Sequence, residues 1–504
     1  MKELPRSTPS QEGVNPEFII DFLNACEKAK SEIHSIMIAR HGKVIFEAHN
    51  APYAADIPHI MHSFTKILTN TAVSLAYTDG LLSLDDPLSR FFPEYDGTEV
   101  DNEYYRACTI RNMITMRNGQ KRSIGGNEWR PLKTSWKDAY FKVPFDKEPG
   151  TDYMYSSGNS YILSYIVQQL EGKTCRELVQ ERVGKKIGLS DFTWMLSPEG
   201  VCSGGNGVSL TAEDMLRIGL LYLNKGKWEG EQLISEEWID YAFGYKDPIE
   251  PLNGVQYNFH WEHTGDLWCG GGMFGQYCGV VPTLDMVFAI TAADDKYQAA
   301  GLFQKLIVDR VDKNASLLEA KDLNAADPDS WYADSTGRTS PFKMDGPVVT
   351  MDDVLAQKGL RMTLEGKNQS VCGHLEPKAE YVLTPEDNKD GVTCVEIRFS
   401  DNTVTYVMCD GRGRHEVVCG LDHWIRGTTS MTGGYLHHQY EQDITKVSAM
   451  AYWCGENTLM MEWRYPEMAF FDHNMITFEE DCVKVDRWVN MNSQDTSRPT
   501  LVLK

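Results

Sequence analysis

The chain has 504 residues and a formal net charge of -23, with 72 acidic against 49 basic side chains. Such a surface repels phosphate backbones and anionic lipid, which argues against nucleic acid and acidic membranes as partners. An apolar fraction of 42% with 12 Trp and 23 Tyr allows well-packed cores, the length predicts more than one domain, and no apolar run reaches a membrane span.

The first residues, Met1 to Pro9, hold no apolar segment of the kind a secretory leader needs, so a cytoplasmic location is expected. The 12 cysteines are scattered without a C-x-x-C pair, which predicts buried free thiols in a reducing compartment. Pro16 to Ala29 reads as an amphipathic helix. Ile33 to Ala39 and Val44 to Ala48 read as a hairpin turning at His41-Gly42-Lys43. Then Ile60-Met61-His62 leads into Ser63-Phe64-Thr65-Lys66, and Ile67 to Ala76 continues as a buried helix ending near Asp79-Gly80.

A serine opening a helix has its hydroxyl near unpaired N–H groups and the positive end of the dipole. A lysine three residues on lies on the same face. In a dry cleft such a lysine loses its charge and can take the serine's proton. A second S-x-x-K, Ser340-Pro341-Phe342-Lys343, contains a proline and runs into Met344-Asp345-Gly346-Pro347, so it reads as loop. Order along the chain favours Ser63. Tyr155-Ser156-Ser157 follows Glu148-Pro149-Gly150-Thr151 and precedes the helical run Tyr161 to Val167, placing a loop tyrosine where it can share a proton with a serine and a lysine. Tyr222-Leu223-Asn224 closes an amphipathic helix and reads as packing. Phe259 to Trp268, Phe274 to Val281 and Met286 to Ala292 alternate like strands, and Tyr297 to Val311 is again helical. The glycines of Leu267-Trp268-Cys269-Gly270-Gly271-Gly272 would let a substrate approach a strand edge, where a backbone N–H could join that of Ser63 in an oxyanion hole.

From about Gly13 to Val311 the chain resembles the β-lactamase-related serine hydrolases of the class C, penicillin-binding-protein and esterase type. The motifs above carry the resemblance, with Asp79 to Pro87, Phe91 to Tyr95, Thr109 to Met116 and Gly204 to Met215. It implies an α/β fold of the β-lactamase/transpeptidase type, with a helix-flanked sheet and a helical subdomain. It also implies Ser63 as nucleophile, Lys66 as its partner and Tyr155 as the catalytic tyrosine. Ser157 stands where the family's Tyr-x-Asn motif has its third residue, and Asn159 is a candidate for the missing amide. Where penicillin-recognising members carry Lys-Thr-Gly or His-x-Gly, this chain has Leu267-Trp268-Cys269, with Gly270 the expected oxyanion donor and Cys269 beside it. His263-Thr264-Gly265 lies four residues early and reads as a turn. Trp268 either lines the pocket or packs in the strand. The missing cation favours esters or neutral amides over β-lactams and over peptides ending in a free carboxylate, and the expected partner is a small ester, amide or short peptide substrate. A D-amino-acid peptidase, a weak β-lactamase or a slowly turning-over penicillin-binding-type sensor are the alternatives, and assembly of identical chains stays open.

The expected domains are 1–312, a polar linker over 313–346, and 347–504. In the last, Val392 to Phe399, Thr403 to Cys409 and Leu459 to Arg464 alternate with period two between turns such as Asp410-Gly411. This predicts a mainly antiparallel, up-and-down β barrel, and the domain resembles the lipocalin-like module of some related hydrolases. Trp424, Trp453 and Trp463 read as its core, and His437-His438 as a polar strand end. His59 and His62 read as packing or surface residues. The chain contains no Gly-x-Ser-x-Gly and no H-E-x-x-H, and neither a metal nor a cofactor is expected.

Overall fold

The computed structural model describes residues 3–50, 52–246, 256–311, 361–364, 370–387, 391–431, 436–440, 442–493 and 495–504. The expected linker at 313–346 and the second motif at Ser340 lie outside them. The chain divides into two compact units, one built from described residues up to Thr363 and the other from Leu364 to Lys504 with Asn50–Ala54.

In the first unit Pro16–Ala29 forms helix α1, with Pro at its first turn and the Asn15 side chain accepting from the Glu17 N–H at 3.0 Å. Strands β1 (Glu32–Arg40) and β2 (Lys43–Asn50) pair around His41 and Gly42, whose φ values of 51° and 71° give the doubly left-handed turn that suits a twisted hairpin. Helix α2 (Thr65–Thr78) is buried from Thr65 to Ala76 on every side. Its polar groups find partners inside. Thr69 donates to the Gly204 carbonyl at 2.7 Å, and Asn70 bonds both Tyr222 and the Trp238 indole. Helices α3 (Ser157–Glu171) and α4 (Ala212–Leu223) follow, the latter opened by a Thr211–Asp214 capping box. Tyr222 and Asn224 belong to its packing and its end, as expected.

Five strands complete the sheet: β3 (Gln256–Asn258), β4 (Trp261–Thr264), β5 (Leu267–Gly272), β6 (Gln276–Val281) and β7 (Met286–Ala293). The order is β2-β1-β7-β6-β5-β4-β3, with a short strand at Arg361–Leu364 beyond β2. Strands from both ends of this unit thus share one antiparallel sheet, with the helices supplied by the chain between them. The strand expected over Phe259 to Trp268 is instead two strands and two turns. Phe259 and His260 adopt φ of 44° and 71°, and Gly265 turns the chain again, which an alternation of apolar residues cannot reveal. One face of the sheet packs on α4. The other meets helix α5 (Ala299–Phe303), where the Phe288 and Phe303 rings stack at 3.8 Å.

In the second unit the strands Glu380–Leu383, Cys394–Phe399, Thr403–Asp410, Gly413–Leu421, Thr445–Trp453, Thr458–Arg464, Phe471–Phe478, Val483–Val489 and Leu501–Leu503 follow one another around a barrel. Thr384 and Lys504, just beyond the first and last strands, exchange backbone bonds of 2.7 and 2.9 Å, so the barrel is nearly closed. The simple up-and-down expectation needs one correction. Gly413–Leu421 pairs parallel to Thr445–Trp453, with Ile425–Thr429 as a flap on the latter. Trp453 and Trp463 are core, but Trp424 is only half-buried, under the Arg464 guanidinium. His437 is not a polar strand end. It is buried, 2.7 Å from Asp472, which also accepts from Tyr465 at 2.9 Å.

Gly219 of α4 faces the sheet so closely that a Cβ would stand 2.5 Å from Val287 Cγ1 and 2.7 Å from Cys278 Sγ. Alanine normally gains ~1 kcal/mol over glycine in a helix. Here overpacking of ~1–3 kcal/mol outweighs that gain. Gly219→Ala should therefore lower the urea midpoint, and an unchanged or raised midpoint would show that the sheet yields.

Candidate active site

Ser63 sits in a one-turn helix, His62–Phe64, that runs directly into α2. His62 before it has φ of 44°, a strained left-handed conformation for a side-chain-bearing residue, and its ring packs edge-on against Phe274. Lys66 lies one turn on, 1% exposed, with its Nζ 3.1 Å from Ser63 Oγ, 3.1 Å from Ser157 Oγ and 2.7 Å from the Gly205 carbonyl. Burial lowers its pKa to about 7, against the opposing pull of the Glu262 carboxylate. A carbonyl can only accept, so Gly205 takes one N–H of a neutral amine. Ser157 can take the second. The lone pair is then left for the proton of Ser63.

Tyr155 lies over this pair, its ring centroid 4.7 Å from Lys66 Nζ. The residue is 37% exposed at the cleft, yet crowding around the hydroxyl raises its pKa, while the neighbouring Ser63 hydroxyl lowers it. It therefore remains a proton donor at neutral pH. Two further supports hold Lys66. Gly204 and Gly205 press on the start of α3, where a Cβ at Gly204 would lie 2.1 Å from the Ser160 carbonyl, so only glycine lets both carbonyls turn toward α2. His260, in the strained turn before β4, bonds the Lys66 carbonyl at 2.8 Å and Ser160 Oγ at 3.1 Å. Burial, aided by Lys66, drops its pKa to about 3, so it acts as a neutral brace and not as an acid or base.

Strand β5 crosses over the start of α2. A Cβ at Gly270 would come within 2.9 Å of Ile67 and 3.0 Å of Phe64, and one at Gly272 within 2.3 Å of the Met61 carbonyl. The β4 ladder stops at the Cys269–Glu262 pair, so the edge of β5 at Gly270–Gly272 is left without that neighbour. Beside it opens a cleft of about 550 Å³, lined by Ser63, Tyr155, Glu262, Cys269, Gly271 and Tyr277 among others. That volume suits a small-molecule ligand.

Residues 28–306 match the family model described as Beta-lactamase. The chain belongs to the β-lactamase family. This family member is 22% identical over 290 residues to a 6-aminohexanoate-dimer hydrolase of Paenarthrobacter ureafaciens, covering 54% of this chain and 74% of that one. It is 25% identical over 174 residues to a lovastatin esterase of Penicillium rubens, covering 30% of this chain and 42% of that one. A solved Bacillus anthracis protein, assigned as a 6-aminohexanoate-dimer hydrolase, shares the fold at a TM-score of 0.50 and 17% identity, over 61% of this chain and 87% of its own. The protein is thus a serine hydrolase of the β-lactamase family.

Within this hydrolase Ser63, Lys66, Tyr155 and Ser157 come together, Ser157 as a partner of the lysine. Cys269 reaches the cleft, with its thiol pKa pushed well up by burial. Trp268 does not. The two-residue period of β5 turns it to the opposite face, where it stacks on His263 at 4.1 Å and Phe243 at 5.1 Å. Asn159 does not supply the missing amide either. It is fully buried, bonded to Asn118, Tyr140 and the Met113 carbonyl. The Leu267-Trp268-Cys269 segment brings no cation, but Lys305 enters the cleft from the turn Gln304–Val308. Sequence reasoning missed Gly205, His260 and Glu262 as site residues. Only the paired glycines left a signal, since close backbone approach is a common reason for such a pair.

If neutral Lys66 is the base, log kcat/KM should rise with pH at unit slope below about 7 and level off above it, because only the unprotonated amine accepts the proton. A profile flat between about pH 5 and 9 would remove Lys66 from that role. Lys66→Ala and Tyr155→Phe should each cost about 10²–10⁴ in rate, and the double variant little more, since groups acting as one unit are not additive. Independent, multiplying losses would separate the two.

Proposed function

We propose that the protein cleaves a small linear amide or ester through a covalent acyl-enzyme on Ser63. The observation that carries this reading is the 3.1 Å approach of a fully buried Lys66 amine to Ser63 Oγ. Ser63 Oγ attacks the substrate carbonyl while Lys66 takes its proton. Tyr155, lying over Lys66, passes a proton to the leaving nitrogen or oxygen as its bond to carbon breaks. The oxyanion is held by the Ser63 N–H and by a backbone N–H of the open β5 edge, for which Gly270 is the candidate. Water then attacks the acyl carbon while the deprotonated Tyr155 takes its proton, and Lys66 returns its proton to Ser63 Oγ as the acyl bond breaks and the acid is freed.

Two relatives support this substrate range, one named as a 6-aminohexanoate-dimer hydrolase and the other as a lovastatin esterase. The third-motif segment itself offers no cation to a substrate carboxylate, although Lys305 lines the same cleft.

A fluorophosphonate should add to Ser63 stoichiometrically by mass spectrometry, and Ser63→Ala should abolish the adduct. An adduct on any other serine, Ser340 included, would overturn the assignment.

A further inference from the structure

Glu262 is a residue the proposed chemistry does not use. It lies in the cleft that holds Ser63 and Tyr155. Its place is set by register. Glu262 pairs across the sheet with Tyr257 on one side and Cys269 on the other, so the three side chains share a face, and Cys269 lines the cleft as well. Among the described residues its carboxylate makes no hydrogen bond and no ion pair. The nearby Lys66 acts on it through charge alone, since its Nζ bonds Ser63, Ser157 and Gly205 and not Glu262.

This placement works against the catalytic base. The Glu262 carboxylate pulls the Lys66 pKa up, opposing the burial that makes Lys66 useful; Glu262 itself is exposed at the cleft, yet crowding around its carboxyl raises its own pKa. A positive group set against Glu262 would cancel both effects. The surroundings suit such a group. Tyr155, Tyr277 and Tyr297 line the same cleft, and aromatic faces beside a carboxylate attract alkylammonium ions. Lys305 enters from the side of α5, and the charge that acts on the Glu262 carboxyl is that of Lys66.

Building on the reading of Ser63 as an acylated nucleophile, we infer that Glu262 selects substrates carrying an alkylammonium group, which it pairs with inside the cleft beside the tyrosines. The substrate class is then an amide or ester of an amino-bearing acid or alcohol.

The test compares three p-nitroanilides of similar length, with 6-aminohexanoyl, heptanoyl and monoadipoyl groups, on the wild-type chain and on Glu262→Gln. A charge-assisted pair in a partly dry cleft should favour the ammonium substrate about tenfold or more in kcat/KM over the neutral one. In Glu262→Gln that ratio should fall toward unity. An unchanged ratio in the variant, or a wild-type preference for the neutral or anionic substrate, would overturn the inference. Calorimetric titration with 6-aminohexanamide and heptanamide repeats the comparison without turnover, and equal affinities, or a preference that Glu262→Gln leaves intact, would likewise sink it. Fluorophosphonate labelling keeps the two readings apart. A labelled Ser63 without ammonium preference refutes only the role of Glu262, and ammonium preference without labelling refutes only the acyl-enzyme.

Discussion

The burial of one lysine amine organises the candidate active site. An ammonium taken out of water is costly unless it is fully hydrogen-bonded or sheds its proton. Lys66 does some of both: three acceptors surround it, and its pKa falls to about 7. Each acceptor comes from a different stretch of chain, so α2, the start of α3 and the Gly204-Gly205 loop must meet within hydrogen-bonding distance. The tight glycine contacts and the strained turn at Phe259–His260 are consequences of that convergence. Strain at such a turn persists only where its surroundings over-determine it, and here the His260 ring ties α2 to α3.

The cleft depends on the two faces of one strand. Odd positions of β5, Leu267, Cys269 and Gly271, look into the cleft, while Trp268 and Gly270 pack toward the opposite side. A shift of one residue in that register would put an indole ring in the cleft and withdraw the glycine from Phe64 and Ile67. The same ladder delivers Glu262 beside Cys269. The open edge of β5 and the Glu262 side chain are therefore placed together by one register.

The second unit solves a different problem. A sheet of this length would leave two rows of unpaired backbone groups, and the Thr384–Lys504 bonds shorten them by nearly closing the barrel. Its interior carries a buried His437–Asp472–Tyr465 network in which both oxygens of the carboxylate are engaged.

Local sequence determined the elements whose signals are local. The helix Pro16–Ala29, the His41-Gly42 turn and the S-x-x-K pair at the head of α2 depend on capping, on glycine and on helical spacing, all within a few residues of one another. The order of the motifs was enough to single out Ser63, Lys66 and Tyr155. The paired period-two runs after Val392 were enough for a β domain. What tertiary structure alone decided was which face each residue presents and who stands across from it. Trp268 and Cys269 are neighbours in sequence, and only ladder register sends one to the core and the other to the cleft. His260 and Glu262 carry no motif, because their roles come from groups as distant in the chain as Lys66 and Ser160. Hydrogen bonds and electric fields act through space, and a sequence orders residues only along the chain.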